Sequence, residues 1–405
     1  MNNLPEGWRW LALGEVTREE SLRVGRRQEV KVLSSTKHHG LVPSDQYFKN
    51  RTIYSSDLSN YKLVPRNCFA YATNHLAEGS IGLQSQYDLA CVSPVYTVFS
   101  CDLNQVDENY MFRLLKSPPL MVAYGAHEQA SVDRRGAIRY RDFSRIYVLL
   151  PTKAEQRRIA EILDALDDQI ICQGKVVEKL GSVMQGLAEE QLSLVTRNVK
   201  TAYLGEISNV GSGVTLGGEV ESGVELPYLR VANVQDGYID TSEMKKVRVS
   251  RSEVARYLLE AGDVLLTEGG DIDKLGRGAV WDGRIDPCLC QNHIFRVRCR
   301  QDVVRPEFLA AYTGSTKGKA YFLSIAKQTT NLATINSTQL KEMPIPLPSI
   351  AEQDSFIRLM KDVKSRLDSE VAAADKLVAL KQGLAEDLLT GRVRVPEAEA
   401  VVESL

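Results

Sequence analysis

The sequence predicts an α+β fold: two mixed α/β modules joined by two long antiparallel coiled-coil helices, with an internal pseudo-twofold repeat. Three observations carry the prediction. The phrase LPTKAEQRRIAEI at 150 returns as LPSIAEQDSFIRL at 347, a step of 197 residues. After each phrase, apolar residues recur at alternating spacings of three and four, the period of a coiled-coil seam. Before each phrase, short β-like runs alternate with turn signals and one helical stretch.

The repeat is larger than the phrase. The step of 197 holds without a gap to the QGLAE strings at 185–189 and 382–386. Upstream it lays Gly40 on Gly237, Gly79 on Gly276 and Cys91 on Cys288. At a step of 196, YKLVPRNCFAY meets YLLEAGDVLLT, and at 191 Leu13-Gly14-Glu15-Val16 meets Leu204-Gly205-Glu206-Ile207. The second copy therefore holds about six extra residues, expected within GSGVTLGG. The order is module 1–149, helical segment 150–193, module 194–346, helical segment 347–391 and tail 392–405. A chain of 405 residues accommodates such a multi-domain plan.

In the first module IGLQ, CVSPVYTVF and RIYVLLP read as strands, and DENYMFRLLKS as a helix that stops at Pro118-Pro119. In the second, PYLRVANV, GDVLLTE, HIFRVRC and the run into MPIPLP read as strands, and RPEFLAAYTGS as a helix. Asp236-Gly237 and Gly269-Gly270 are turn signals.

Each repeated phrase is first a helix start. Thr152 with Glu155, and Ser349 with Glu352, have capping-box spacing. The first seam runs through Ile159, Leu163, Leu166, Ile170, Gln173, Val177, Leu180, Met184 and Leu187. The second runs through Phe356, Met360, Val363, Leu367, Glu370, Ala374, Leu377, Lys381 and Leu384. Gln173 and Glu370 interrupt the two seams at the same level, and a polar seam residue specifies register. Each helix is expected to pair with the other as a rigid spacer about 60 Å long. Gly174, Gly181 and Gly186 weaken the first helix by about 1 kcal/mol each relative to alanine, which points to close approach by a neighbour.

A net charge of −2 argues on its face against a nucleic-acid partner. The charge is segregated, however. The helices 153–193 and 350–390 carry −3 and −2 and the tail −1, which leaves +4 for the rest. Arg134, Arg135, Arg139, Arg141 and Arg145 cluster in the first module, interleaved with Tyr140 and Phe143. Arg26 and Arg27 belong to a second cluster. Such clusters neutralise phosphates, and arginine also reads guanine while Asn and Gln read adenine. The copies differ at such positions: Arg134 aligns with Asn331, Arg139 with Asn336, Thr36 with Asn233, and His38 with Gln235. With Lys37, Arg230 and Arg277, these are the expected DNA contacts, one scaffold carrying different polar tips.

Walker A, dinucleotide-binding, amino-methyltransferase, zincin and nucleophile-elbow motifs do not occur. The five histidines show no ligand spacing, and Cys288, Cys290, His293 and Cys299 fit no common zinc site. No catalytic residue or metal ligand is expected in this chain. The seven cysteines read as reduced thiols packed as small hydrophobes. No run of about 18 apolar residues appears, and the N-terminus resembles no targeting peptide, so a cytoplasmic location is expected.

The two LPxxAEQ helix starts, the QGLAE endings, LPEGWRWLALGEV, PYLRVANVQDGYID, GSIGL with VSPVYTVF, and GDVLLTEGGDIDKLGRGAV together resemble the specificity (S) subunit of type I restriction–modification systems. The resemblance covers nearly the whole chain. It implies two target-recognition domains, each reading one half of a bipartite asymmetric double-stranded DNA site. It implies helices that set the spacer and dock two methyltransferase (modification) subunits, with restriction subunits joining that core. S-adenosylmethionine, ATP and Mg would then belong to the partner subunits. Two other readings stay open: a single-chain DNA-modifying enzyme with duplicated binding domains, and a coiled-coil scaffold without a DNA role.

Overall fold

The computed structural model describes residues 4–27, 29–37, 39–48, 54–130, 136–216, 223–328, 333–396, 398 and 402. Two compact units divide the chain, one built from residues up to 174 and from 372 onward, the other from 175–371. Each unit therefore holds one module and a part of each long helix, Lys153–Val195 and Ile350–Thr390.

In the first unit, one four-stranded sheet has the order Thr17–Glu20, Tyr96–Cys101, Cys68–Ala72, Ile81–Gln84. A second has the order Gly40–Pro43, Lys31–Thr36, Leu89–Val92, Lys62–Pro65. The second unit repeats the first sheet as Ser208–Ser212, Ile294–Cys299, Val264–Thr267 and Gly278–Val280. It also repeats the parallel pairing inside the second sheet: Val32 lies opposite Cys91 as Leu229 lies opposite Cys290. The aligned glycines Gly40 and Gly237, and Gly79 and Gly276, all have positive φ. The repeat is thus a repeat of backbone conformation. In each module the first strand pairs with the last, Arg9 with Leu150 and Thr201 with Pro346, so the module closes where the long helix begins.

Three local expectations change. CVSPVYTVF is two strands, Leu89–Val92 and Tyr96–Cys101, because Pro94 lies in a turn closed by Tyr96 N–H on Ser93 O at 3.0 Å. Pro118 does not only end one helix. It opens another, Pro118–Ala130, where a fixed φ and a missing N–H suit the first turn. Gly269–Gly270 is a short strand paired with Ala333–Thr334 rather than a turn.

The cores are those the strands anticipate. Phe69, Tyr71, Phe99, Tyr110, Tyr124 and Phe143 fill the first module, and Leu266, Phe295, Phe308, Phe322 and Ile345 the second. Cys288 and Cys290 are buried in the second unit, and burial pushes both thiols up to about 12.

Every residue of both expected seams is buried or half-buried, while most of its helical neighbours are exposed. In the first unit Ile159, Leu163 and Leu166 share a core with Leu384 and Leu388. Lys381 pairs with Asp167, and Arg394 with Glu155, so the helix segments there run antiparallel. In the second unit Leu192 packs with Phe356 and Ile357.

The capping expectation holds for one helix only. At the second, Ser349 N–H donates to Glu352 at 2.8 Å and Glu352 N–H to Ser349 Oγ at 3.3 Å. At the first, Thr152 caps Glu155 N–H at 3.3 Å, but the Glu155 carboxylate turns away. It accepts from Trp8 Nε1 at 3.0 Å and from Arg394 at 3.0 and 3.3 Å. A cationic guanidinium and an indole donor outcompete one backbone amide, since hydrogen bonds to charged partners are the stronger ones.

The glycines of the first helix do not mark a close approach within the chain. A Cβ built on Gly174, Gly181 or Gly186 meets nothing within 4 Å. Each Gly→Ala change is therefore expected to stabilise the free chain by up to about 1 kcal/mol, seen as a higher denaturation midpoint. A midpoint that falls would show that these positions are packed after all.

Candidate nucleic-acid interface

Three loops converge in each module, and one backbone bond between them recurs at the equivalent place. In the first, the hairpin 36–40, the turn 73–79 and the segment 136–139 are tied together. Ile138 N–H donates to Thr73 O at 2.8 Å. Lys116 Nζ donates to Thr36 O, Lys37 O and Gly79 O at 3.3, 2.7 and 3.0 Å. The hairpin strand also lies hard on the strand Ile81–Gln84. A Cβ on Gly82 would stand 2.3 Å from Leu41 N, so only glycine fits.

In the second module the equivalents are the loop 231–238, the segment 268–277 and residues 333–336. Ile335 N–H donates to Glu268 O at 3.0 Å, and Gly237 N–H to Gly278 O at 2.9 Å. Arg277 donates to Gln235 Oε1 at 2.9 Å, and Lys319 pairs with Asp236 at 3.1 Å.

The expected contact residues sort into five groups. Lys37, Arg139 and Arg141 are exposed on or next to the first junction. Arg141 lies 3.8 Å from Asp142. Gln235 and Arg277 are brought together, half-buried, in the second. Arg230 is held near by Glu243 at 3.3 Å.

Thr36 and Asn233 do not present their tips. Thr36 is 4% exposed and Asn233 3%. The Thr36 hydroxyl donates to Gly40 O at 3.2 Å and accepts from His39 N–H at 2.9 Å. Asn233 accepts from Arg230 N–H at 2.8 Å and donates to Asp240 O and Glu243 O at 2.8 and 3.1 Å. Both are interior fasteners of the loops, and the expectation that they touch bases is corrected here. Asn336 stays exposed, but its carbonyl oxygen is spent on Gln339 N–H at 2.9 Å, capping a short helix.

Arg26 and Arg27 lie elsewhere. Their turn follows Arg23, which bridges to Lys62 on the edge strand opposite the hairpin, and Arg27 donates to Arg23 O and Val24 O, each at 3.2 Å. His38, Arg134, Arg135 and Asn331 lie outside the described residues. The aromatics of the arginine cluster serve the core. Phe143 is fully buried against Tyr71, Phe99 and Tyr124, and the Tyr140 hydroxyl meets Thr17 at 3.1 Å.

Sequence reading missed Lys116 and Lys319. Lys116 sits alone in LLKSPP and Lys319 two residues after Lys317 in STKGKA, each near a helix end, with no pattern to separate it from a solvated lysine. The two junctions differ in charge. At the first, Lys37, Lys116 and Arg139 stand with Glu78, which pairs with His75, and with Glu128, whose carboxylate lies by Gly136. At the second, Lys319–Asp236 and Lys274–Asp271 are ion pairs. The arrangement offers hydrogen-bond donors and acceptors on rigid loops. Among the described residues no cluster of His, Cys, Asp and Glu is placed to hold a metal.

Comparison with known proteins agrees with this geometry. Residues 197–376 match the family model described as type I restriction modification DNA specificity domain. A putative type I restriction enzyme specificity subunit, MjaX, from Methanocaldococcus jannaschii is 27% identical over 40% of this chain and 39% of its own. The EcoKI specificity subunit of Escherichia coli K12 is 23% identical over 62% and 58%. The chain thus spans between two and three fifths of the length of these relatives. A chain of a solved type I R-M system superposes with a TM-score of 0.66 at 17% identity, covering 97% of this chain and 100% of that one. The HsdS subunit from Thermoanaerobacter tengcongensis does so at 0.58 and 17%, covering 97% and 99%. At such identities these superpositions establish the fold. The matched domain and the named relatives show that this chain is similar to type I restriction–modification specificity subunits.

Proposed function

We propose that the chain is the non-catalytic DNA-specificity subunit of a type I restriction–modification complex, with each module reading one half of a bipartite asymmetric site. The observation that carries the reading is the loop junction built twice at equivalent places, with the Ile138–Thr73 backbone bond repeated as Ile335–Glu268, but tipped with different side chains. One scaffold with two sets of tips is what two readers of different sequences require. Lys37, Arg139, Arg141, Gln235 and Arg277 are the proposed base or phosphate contacts, with Arg230 and Asn336 beside them and Arg26 and Arg27 as more distant phosphate contacts. His38, Arg134, Arg135 and Asn331 are retained as contacts on charge and alignment.

The exchangeable parts are 1–149, 150–193, 194–346 and 347–391, with 392–405 as tail. The two helices set the spacer and dock two methyltransferase subunits, and restriction subunits complete the assembly. S-adenosylmethionine, ATP and Mg act in those partners, because this sequence carries none of the motifs that hold them. The complex works in the cytoplasm, in defence against foreign DNA. No described helix is long and apolar enough to cross a membrane.

The test is methylation mapping of the host genome with and without this gene, followed by exchange of 1–149 for another subunit's module. A bipartite motif should vanish with the gene, and the exchange should rewrite one half of it only. If both halves change together, the two-reader reading fails. Tight binding of S-adenosylmethionine by the isolated chain would instead favour a single-chain enzyme.

A further inference from the structure

The two junctions are held by different chemistry. Lys116 stands at the end of the helix Glu108–Leu115, half-buried, with its ammonium directed at three backbone carbonyls and 5.6 Å from the Phe112 ring centroid. Two of the carbonyls belong to the hairpin 36–40 and the third to the turn 73–79. An ammonium has three N–H donors, so all three are used.

Among the described residues of the second module no lysine holds loop carbonyls in this way. Ser117 and Ser315 bond to Leu114 O and Tyr312 O in the same way, which puts Gly314 in the place of Lys116. A Cβ on Gly314 meets nothing within 4 Å. There the loop is fastened by the Asn233 amide, by Gly237 N–H on Gly278 O and by Arg277 on Gln235, and its one lysine tie, Lys319 to Asp236, is a solvent-exposed ion pair rather than a half-buried ammonium on backbone carbonyls.

We infer that Lys116 is a positioning residue for the first half-site alone: its ammonium pins the loops that carry the reading side chains, and loss of its proton loosens that half while the other stays intact. The inference rests on the two-reader function proposed above. A neutral amine has two donors and a lone pair, and a lone pair facing a carbonyl is repulsive, so deprotonation breaks at least one of the three bonds.

Burial lowers the Lys116 ammonium to about 8. The charged groups on the surrounding elements do not offset this. They include Lys37 and His39 on the hairpin, Arg139 on the segment 136–139, Glu78 paired with His75 on the turn, Glu128 on the next helix with its carboxylate by Gly136, and Arg113 on its own helix, paired with Asp164 and Asp167. Met121, which approaches Gly79 from the next helix, is neutral.

The sign separates this effect from unfolding. Between about 8 and the ordinary lysine value of about 10.4, the unfolded chain keeps a proton that the folded chain has released. This group therefore adds stability as pH rises through that window, while the first half-site is lost.

The experiment uses the complex assembled with its methyltransferase partner and a plasmid library with each half-site randomised. Wild type, Lys116→Met and Lys116→Arg are compared at pH 7 and 9. Lys116→Met should lower discrimination at the first half-site at least tenfold and leave the second within twofold. Wild type should drift toward that pattern at pH 9, and Lys116→Arg, charged throughout, should not. Hydrogen exchange on the free chain at pH 7 should show His39 and Gly79 amides about tenfold faster in Lys116→Met. Unchanged exchange, equal loss at both halves, or a wild type indifferent to pH would overturn the pin. Absence of any bipartite motif in wild type at pH 7 would overturn the two-reader function instead, and the exchange data would still decide the pin.

Discussion

Gln156→Leu is expected to destabilise the first unit by about 3–5 kcal/mol, and Gln353→Leu the second by a similar amount. Gln156 is fully buried. Its Oε1 accepts from Asp107 N–H at 2.9 Å, and its Nε2 donates to Gln105 O at 3.0 Å and Pro151 O at 2.9 Å. Gln353, also fully buried, accepts from Arg305 N–H at 2.8 Å and donates to Val303 O at 3.1 Å and Pro348 O at 2.9 Å. Leucine fits the volume but strands one amide and two carbonyls away from water, at about 1–3 kcal/mol for each group left without a partner. Equilibrium denaturation reads the cost directly. A loss below about 1 kcal/mol would mean that water reaches these groups and that the glutamine is not the bolt between module and helix.

Adding one heptad to both long helices, next to Gln173 and next to Glu370, is expected to move the two half-sites apart and abolish modification at native sites. Seven residues add about 10 Å of helix, which corresponds to about three base pairs of B-DNA. A heptad is the insertion to use because the seam repeats every 3.5 residues, so the apolar faces stay in register. Four residues in one helix alone would rotate the seam and lower stability, confusing a spacing effect with a folding defect. Methylation mapping should show the same half-sites with a spacer longer by about three base pairs. An unchanged spacer in a folded, assembled complex would refute the ruler role of the helices.

The seams were fully legible in the sequence. Their residues are the less exposed ones along both helices, because a 3.5-residue period of apolar side chains has one way to bury itself. The strands IGLQ, GDVLLTE and HIFRVRC were legible as short apolar runs bounded by turn signals. The polar residues were not. Thr36 and Asn233 align as polar tips and look like readers, yet both bond inward to backbone groups that lie up to ten residues away. Glu155 and Glu352 share one motif, but only the second closes its box, since Trp8 and Arg394 reach the first from the two ends of the chain.

By itself, the sequence determined the duplication, the order of modules and helices, the seams and the segregation of charge. All of these are periodic or additive along the chain, so they survive being read in one dimension. Only the tertiary structure decided why A-E-Q is repeated, which polar side chains face outward, and that Lys116 fastens one junction while the other, with Gly314 in its place, is fastened by other groups. Those outcomes depend on which distant carbonyl a donor finds. A hydrogen bond between residues 79 apart, such as Lys116 to Lys37, leaves no spacing rule behind.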